Sequence, residues 1–337
     1  MSDVMKTAKA SAPGNLFFAG EHAVVYGIPA IVTSIGKRTF AEASSRDDVV
    51  VELESSAFGK ATAKNRNGSL VEREMEKKEL NAVFDLCEMV VQNFKINDGF
   101  SLKIDSEIPV ESGMSSSTAV LCASFCAITE LFDRHVKPEK YFDFIFPLQA
   151  RIHGGKASGA EIYSSSVGGF NRLQKIEENG KAVQKVKSLG RQEFCIVVGN
   201  TKVRGPTALT VGSHVPSLQK RNPQLVSDSW KKIEKIVKSM QGAIKKGDAA
   251  KVGKLMNANQ KVLSNLMLSH PKLDDCISEA LKAGALGAKL SGNGWGDSMF
   301  AIAKNEDSEK IAEAINRTGA EAMITQVGLD GVRLEAV

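Results

Sequence analysis

A run of small residues, Ser112-Gly113-Met114-Ser115-Ser116-Ser117-Thr118, leads without a break into the apolar stretch 119–132. An apolar helix needs a packed layer to bury against, and small residues at its head leave backbone N–H groups free to face an anion. The helix dipole adds to that attraction. Three consecutive serines supply hydroxyl donors and candidate magnesium ligands, where bulky side chains would keep a polyphosphate away. An ordinary N-cap uses the same residue types, so the segment alone leaves cap and phosphate site both open. It does not match G-x-x-x-x-G-K-[ST], which excludes a Walker-type loop.

Two further turns bear on that choice. Ser291-Gly292-Asn293-Gly294-Trp295-Gly296-Asp297 follows an apolar helix (273–283) and precedes a β-rich stretch, and Gly20-Glu21-His22 interrupts extended segments near the start of the chain. Each alone is a commonplace connection. Shared phosphate chemistry explains all three as one site assembled from distant segments.

At 337 residues the chain has room for two domains or one large one, and 42% apolar with 25% charged residues suits a globular protein. The net charge of +5 does not choose a partner. Three Tyr and two Trp, none interleaved with Arg and Gly, argue against a nucleic-acid surface. The five cysteines contain no CxxC pair and read as reduced, mostly buried thiols, with Cys122 and Cys126 facing a core rather than a metal. No cationic leader and no apolar run of ~20 residues is present, so the expectation is a soluble, cytoplasmic protein without a membrane partner.

Alternating and β-branched residues make the first hundred positions largely β, with one helix over 72–94. Helices are expected over 119–132, 142–152, 224–266 and 273–283, a strand over 194–199, and strand, helix and strand in the last forty residues. Charged residues and glycines replace apolar periodicity over 175–190, which places a boundary there and gives domains 1–180 and 181–337. No repeat of 20–50 residues is visible.

Ala12-Pro13-Gly14-Asn15-Leu16-Phe17-Phe18-Ala19-Gly20-Glu21-His22-Ala23-Val24-Val25-Tyr26-Gly27 resembles the first motif of mevalonate kinases in the GHMP superfamily. Residues 109–119 resemble that superfamily's P-x-G-x-G-L-G-S-S-A motif and 289–296 its K-L-[ST]-G-x-G-x-G motif. Leu255-Met256-Asn257, Asn259-Gln260 and Ser269-His270-Pro271-Lys272-Leu273-Asp274 are similar to the mevalonate kinase branch, and the likeness extends over residues 8–305.

The resemblance implies an α+β, two-domain GHMP kinase fold, with an N-terminal ribosomal S5-like α/β domain and a C-terminal ferredoxin-like domain. It implies ATP- and magnesium-dependent phosphoryl transfer to a hydroxyl in the cleft between them. Gly113, Ser115, Ser116 and Ser117 would embrace the ATP phosphates, with Ser116 also on magnesium. Gly292, Gly294 and Gly296 would support nucleotide and acceptor from the other domain, and Glu21 and His22 would meet the acceptor.

Three positions depart from the family pattern. Asn15 stands where these kinases carry Lys, Gln149 where they carry a magnesium-binding Glu, and Glu161 where their catalytic Asp falls, in a segment 153–161 one residue longer than usual. Glu161 and Asn15 therefore hold the catalytic positions. Lys156 and Arg204, with Arg151 and Lys202 nearby in sequence, suit an acceptor more anionic than mevalonate, and Asp297 points the same way. The expected acceptor is the 5-hydroxyl of mevalonate or of a phosphorylated mevalonate such as mevalonate 3-phosphate. The alternatives are a phosphomevalonate kinase acting on mevalonate 5-phosphate, a non-catalytic metabolite-binding relative, and, from the S5-like half and the charge, an RNA-binding protein. A homodimer is compatible with all of them.

Overall fold

The protein is described from a computed structural model, over residues 6–110, 112–152, 158–178, 181–203 and 213–336. Two long strands, β1 (Thr7–Ala19) and β2 (Ala30–Ser45), form its spine. Their small and β-branched residues pack flat, and they pair antiparallel from Thr7–Ser44 to Ala19–Ile31. The register shifts between Pro13 and Asn15 and again between Phe17 and Ala19. A bulge bends a strand and re-aims its side chains. Here it brings the β1 backbone against the serine loop, where the Asn15 N–H donates to the Met114 carbonyl at 3.0 Å. A Cβ on Gly14 would lie 2.7 Å from that same carbonyl oxygen, so only glycine permits the approach.

The N-terminal half adds β3 (Val50–Ser55), β4 (Gly59–Arg66), β5 (Ser69–Met75) and β6 (Phe100–Ser106), then β7 (Phe170–Glu178) paired with β8 (Lys181–Gly190). The boundary expected after residue 180 falls between β7 and β8, which pair with each other. Helices α1 (Asn81–Phe94), α2 (Ser116–Leu131), α3 (Tyr141–Ile152) and α4 (Ala160–Val167) complete it. Phe84, Phe100, Phe125 and Tyr141 fill the core between these helices and the sheet. The all-round apolar α2 is buried along most of its length, as such a helix must be.

The C-terminal half runs β9 (Phe194–Asn200), α5 (Val215–Arg221), α6 (Pro223–Lys245), α7 (Ala249–Asn265), α8 (Pro271–Lys282), β10 (Gly287–Ser291), β11 (Ser298–Ala303), α9 (Ser308–Arg317) and β12 (Glu321–Val327). The strand order β12-β9-β11-β10, antiparallel throughout, is that of a ferredoxin-like unit with added helices. β12 joins β2 at the pair Val327–Ile35, so one sheet passes from half to half, and β13 (Arg333–Glu335) returns to β1.

Three elements differ from the sequence expectation. Residues 72–75 belong to β5 rather than to the helix, which starts at Asn81, because their side chains alternate across a hairpin with β4. The stretch 224–266 is two helices, since Gly247 takes φ 65° and Asp248 caps α7 by accepting the Lys251 N–H. The turn 292–297 joins strands β10 and β11 and does not follow a helix directly. Cys87, Cys122, Cys126 and Cys276 are buried free thiols. Among the described residues, no helix is long and apolar enough to cross a membrane.

Candidate active site

The head of α2 is built by Ser115, whose φ of 56° turns the chain so that its carbonyl accepts from the N–H groups of Thr118 and Ala119, both at 3.1 Å. Among the described residues nothing hydrogen-bonds the amides or hydroxyls of Ser116 and Ser117, and Ser117 is exposed. These are the orphan donors that a helix start offers an anion.

The two glycine loops, one from each half, meet in front of this helix. Gly113 has φ 66° and Gly292 φ 76°, and a Cβ on Gly292 would stand 3.3 Å from the Gly113 Cα. The Ser291 hydroxyl donates to the Gly113 carbonyl at 3.1 Å, and Asp297 packs beside Gly113. Farther along the loop, Gly294 lies so close to the Leu268 carbonyl that no side chain fits. Trp295 anchors the loop to the α7–α8 connection, donating from its backbone to Leu268 at 3.1 Å and from its indole to Met267 at 2.7 Å. Gly296, at φ 140°, leads into Asp297, whose backbone binds Val203 and Thr201.

On the other side of α2 stands Glu161, in the first turn of α4. Its Oε2 accepts from Gln149 Nε2 at 3.5 Å and from the Ser158 hydroxyl at 3.4 Å. Gln149, almost wholly buried, also donates to Thr118 Oγ1 at 2.9 Å, which ties the carboxylate to the serine helix. Asn15 is buried, with its amide turned into the protein. Its Oδ1 accepts from Ser115 Oγ at 2.8 Å, and its Nδ2 donates to Ser165 Oγ at 3.1 Å and to the Glu161 carbonyl at 3.3 Å. It braces the serine loop against the helix that carries Glu161.

The Glu21 carboxylate also turns inward. One oxygen pairs with the buried Lys289 ammonium and the other accepts from Asn259 Nδ2 at 3.1 Å. His22, at φ 61°, is buried, with its ring against the Asn293 backbone of the glycine loop. Desolvation drops its pKa to about 4, with the Asn293 backbone opposing the shift and Lys289 and His214 adding to it, so the imidazole is neutral near pH 7. Thus Ser115, Asn15, Gln149 and Glu161 come together around α2, Gly113 and Gly292 meet across the halves, and Glu21 is drawn to Lys289. Lys156 and Arg204 lie outside the described residues.

The GHMP kinases N terminal domain matches residues 81–169 and the GHMP kinases C terminal model matches 240–321. A mevalonate kinase of Pyrococcus furiosus is 32% identical over 97% of this chain and 98% of its own length. The chain belongs to the mevalonate kinase branch of the GHMP kinases. It is accordingly an ATP-using phosphotransferase of the mevalonate pathway, with an alcohol group as acceptor. In fold it is similar to the L. major mevalonate kinase solved in complex with R-mevalonate, with a TM-score of 0.80, 24% identity and 97% and 98% of the two chains covered. A Streptococcus pneumoniae phosphomevalonate kinase solved with phosphomevalonate and AMPPNP shares the fold at TM-score 0.74, with 18% identity and 94% and 99% coverage.

Sequence reasoning passed over the kinase's Lys289 and the α7 amides as individual groups. Asn257 Oδ1 accepts from the Ala288 N–H at 2.8 Å and Gln260 Oε1 from the Leu290 N–H at 2.9 Å. They cover the free edge of β10, which would otherwise present unpaired donors, and so hold the strand that feeds the 292–296 loop. The available signal was Lys289 itself, a lysine between Ala288 and Leu290 in a short apolar strand, where a cation requires a buried partner.

Proposed function

We propose that this kinase transfers the γ-phosphoryl group of ATP to the 5-hydroxyl of mevalonate or of a phosphorylated mevalonate such as mevalonate 3-phosphate. The observation that carries the reading is the placement of Glu161. Its carboxylate is bridged through Gln149 to Thr118, one turn into the helix whose head offers the Ser116 and Ser117 donors. In phosphoryl transfer the protein mostly positions the reactants and stabilises charge. On this reading the head of α2 and the Gly113 and Gly292 loops take the triphosphate, and Glu161 accepts the hydroxyl proton. Ser158 and Gln149 orient that carboxylate, and Asn15 sets its distance from the phosphates.

Magnesium fits the groups present. Gln149 Oε1 is buried without a partner, Ser116 has an open hydroxyl and Glu161 a carboxylate, all hard oxygen donors of the kind this ion takes alongside phosphates and water. Ser116 and the Gln149 Oε1 would hold it, which leaves Glu161 for the proton, and when bound it would neutralise charge on the phosphates. His22, neutral and buried, suits an acceptor hydroxyl or carboxylate as a hydrogen-bond donor rather than a cation.

ADP release with mevalonate, mevalonate 3-phosphate and mevalonate 5-phosphate, compared by kcat/KM, tests the reading. Turnover of the first or second above background ATP hydrolysis is expected. Turnover of mevalonate 5-phosphate alone would replace it with transfer onto a phosphate, and turnover of none would leave a metabolite-binding relative.

A further inference from the structure

Lys289 sits in mid-strand in β10, a strand buried along its whole length, and its side chain has no exposure. All three ammonium hydrogens are engaged, by the Glu21 carboxylate, the Phe17 carbonyl at 3.2 Å and the Leu290 carbonyl at 2.6 Å. The Phe300 ring faces it at 5.3 Å. No donor is left for a phosphate, so this cation does not act on the nucleotide directly. Its reach is structural and runs both ways. Through Glu21 it grips the turn in which Gly20 (φ 92°) and His22 (φ 61°) hold uncommon conformations. Two residues further along its own strand, Ser291 binds the Gly113 carbonyl and opens the 292–296 loop.

We propose that Lys289 and Glu21 are a positioning pair, which fixes the turn carrying His22 relative to the 292–296 loop and so couples the acceptor side of the site to its nucleotide side. The proposal rests on the kinase reading above. Removing one partner leaves a lone buried charge and destabilises the protein for reasons unrelated to coupling. The informative variant removes both, Glu21→Gln with Lys289→Met, keeping volume and the Asn259 contact while restoring neutrality.

A purely structural pair predicts that melting temperature and kinetics recover together in the double variant. Positioning predicts recovery of melting to within about 3 °C, an acceptor KM raised about tenfold or more, and an ATP KM changed less than about twofold. A second readout needs no turnover. The protein has five histidines, and the His22 ring can be followed by NMR in isotope-labelled protein. Losing the Lys289 cation by itself lifts the lesser, electrostatic part of the shift, while burial, its largest cause, remains. Only a rise of the His22 titration from about 4 nearly all the way to its ordinary 6.5, which requires the ring to meet water, reports opening of the turn.

Wild-type acceptor KM together with a His22 titration that stays well short of 6.5 in a stable double variant would overturn the proposal. If the unaltered protein turns over no acceptor, the functional reading fails while the His22 titration still decides this one. Should the double variant not fold, Asn259→Leu loosens only the second Glu21 oxygen, and an acceptor KM and His22 titration both unchanged there would equally overturn it.

Discussion

Replacing Gln149 by Glu places a second carboxylate beside Glu161, at the 3.5 Å now spanned by a hydrogen bond. Two unit charges at that distance repel by roughly 5 kcal/mol at an effective dielectric constant of about 20 and by about 1 kcal/mol in water. Glu161 is only partly buried, so the effect falls between these limits. At about 1.4 kcal/mol per pH unit, the acid limb of the pH dependence of kcat/KM should move up by about 1–3 units in Gln149→Glu. The high-pH plateau persists as far as both carboxylates can ionise. Gln149→Leu removes the donor without adding charge, and its acid limb should shift far less. The assay is ADP release across pH 4–10, with Glu161→Gln as the reference that loses about 100-fold or more in kcat at every pH. A Glu161→Gln variant with normal kcat would refute the proton-acceptor role outright, and an acid limb unmoved by Gln149→Glu at limiting as well as saturating magnesium would show that Glu161 is not the group whose ionisation the reaction requires.

Three other outcomes follow from the geometry. Because His22 is held neutral, with a pKa near 4 against an ordinary 6.5, its contribution to stability is complete above about pH 6.5. It declines as the pH falls toward 4, by about 3 kcal/mol in all; melts of wild type and His22→Leu should converge over that window, and parallel curves would contradict it. Gly294→Ala adds left-handed strain of at least ~1 kcal/mol and a collision with the Leu268 carbonyl, so the ATP response of the neighbouring Trp295 fluorescence should weaken or vanish, and an unaltered titration would exclude that role for the loop. Ser116→Asp sets a carboxylate against the triphosphate at a cost of at least ~2 kcal/mol, about 30-fold in affinity, and calorimetry showing undiminished ATP binding would remove the head of α2 from the phosphate site.

The sequence by itself determined the family, the order of the three loops and the α+β architecture. The loops and the helix and strand pattern depend on local chemistry, namely apolar period, small residues at a helix head, and glycines where the chain takes positive φ, as Gly113, Gly292 and Gly294 do, while the family and its two-domain fold came from the resemblance of those motifs to known kinases. It also located the departures at Asn15, Gln149 and Glu161, though not what those side chains touch.

Tertiary structure alone decided the partners. Asn15 braces Ser115 and Ser165, 100 and 150 residues away, and Glu21 finds Lys289 across 268 residues. Residues 72–75 read as helix in isolation and became strand because β4 offered them a hairpin edge. The physical reason is the same in each case. A buried polar group must be paired, but which partner it meets is set by chain closures over long separations, and these leave no periodic or local trace in the sequence.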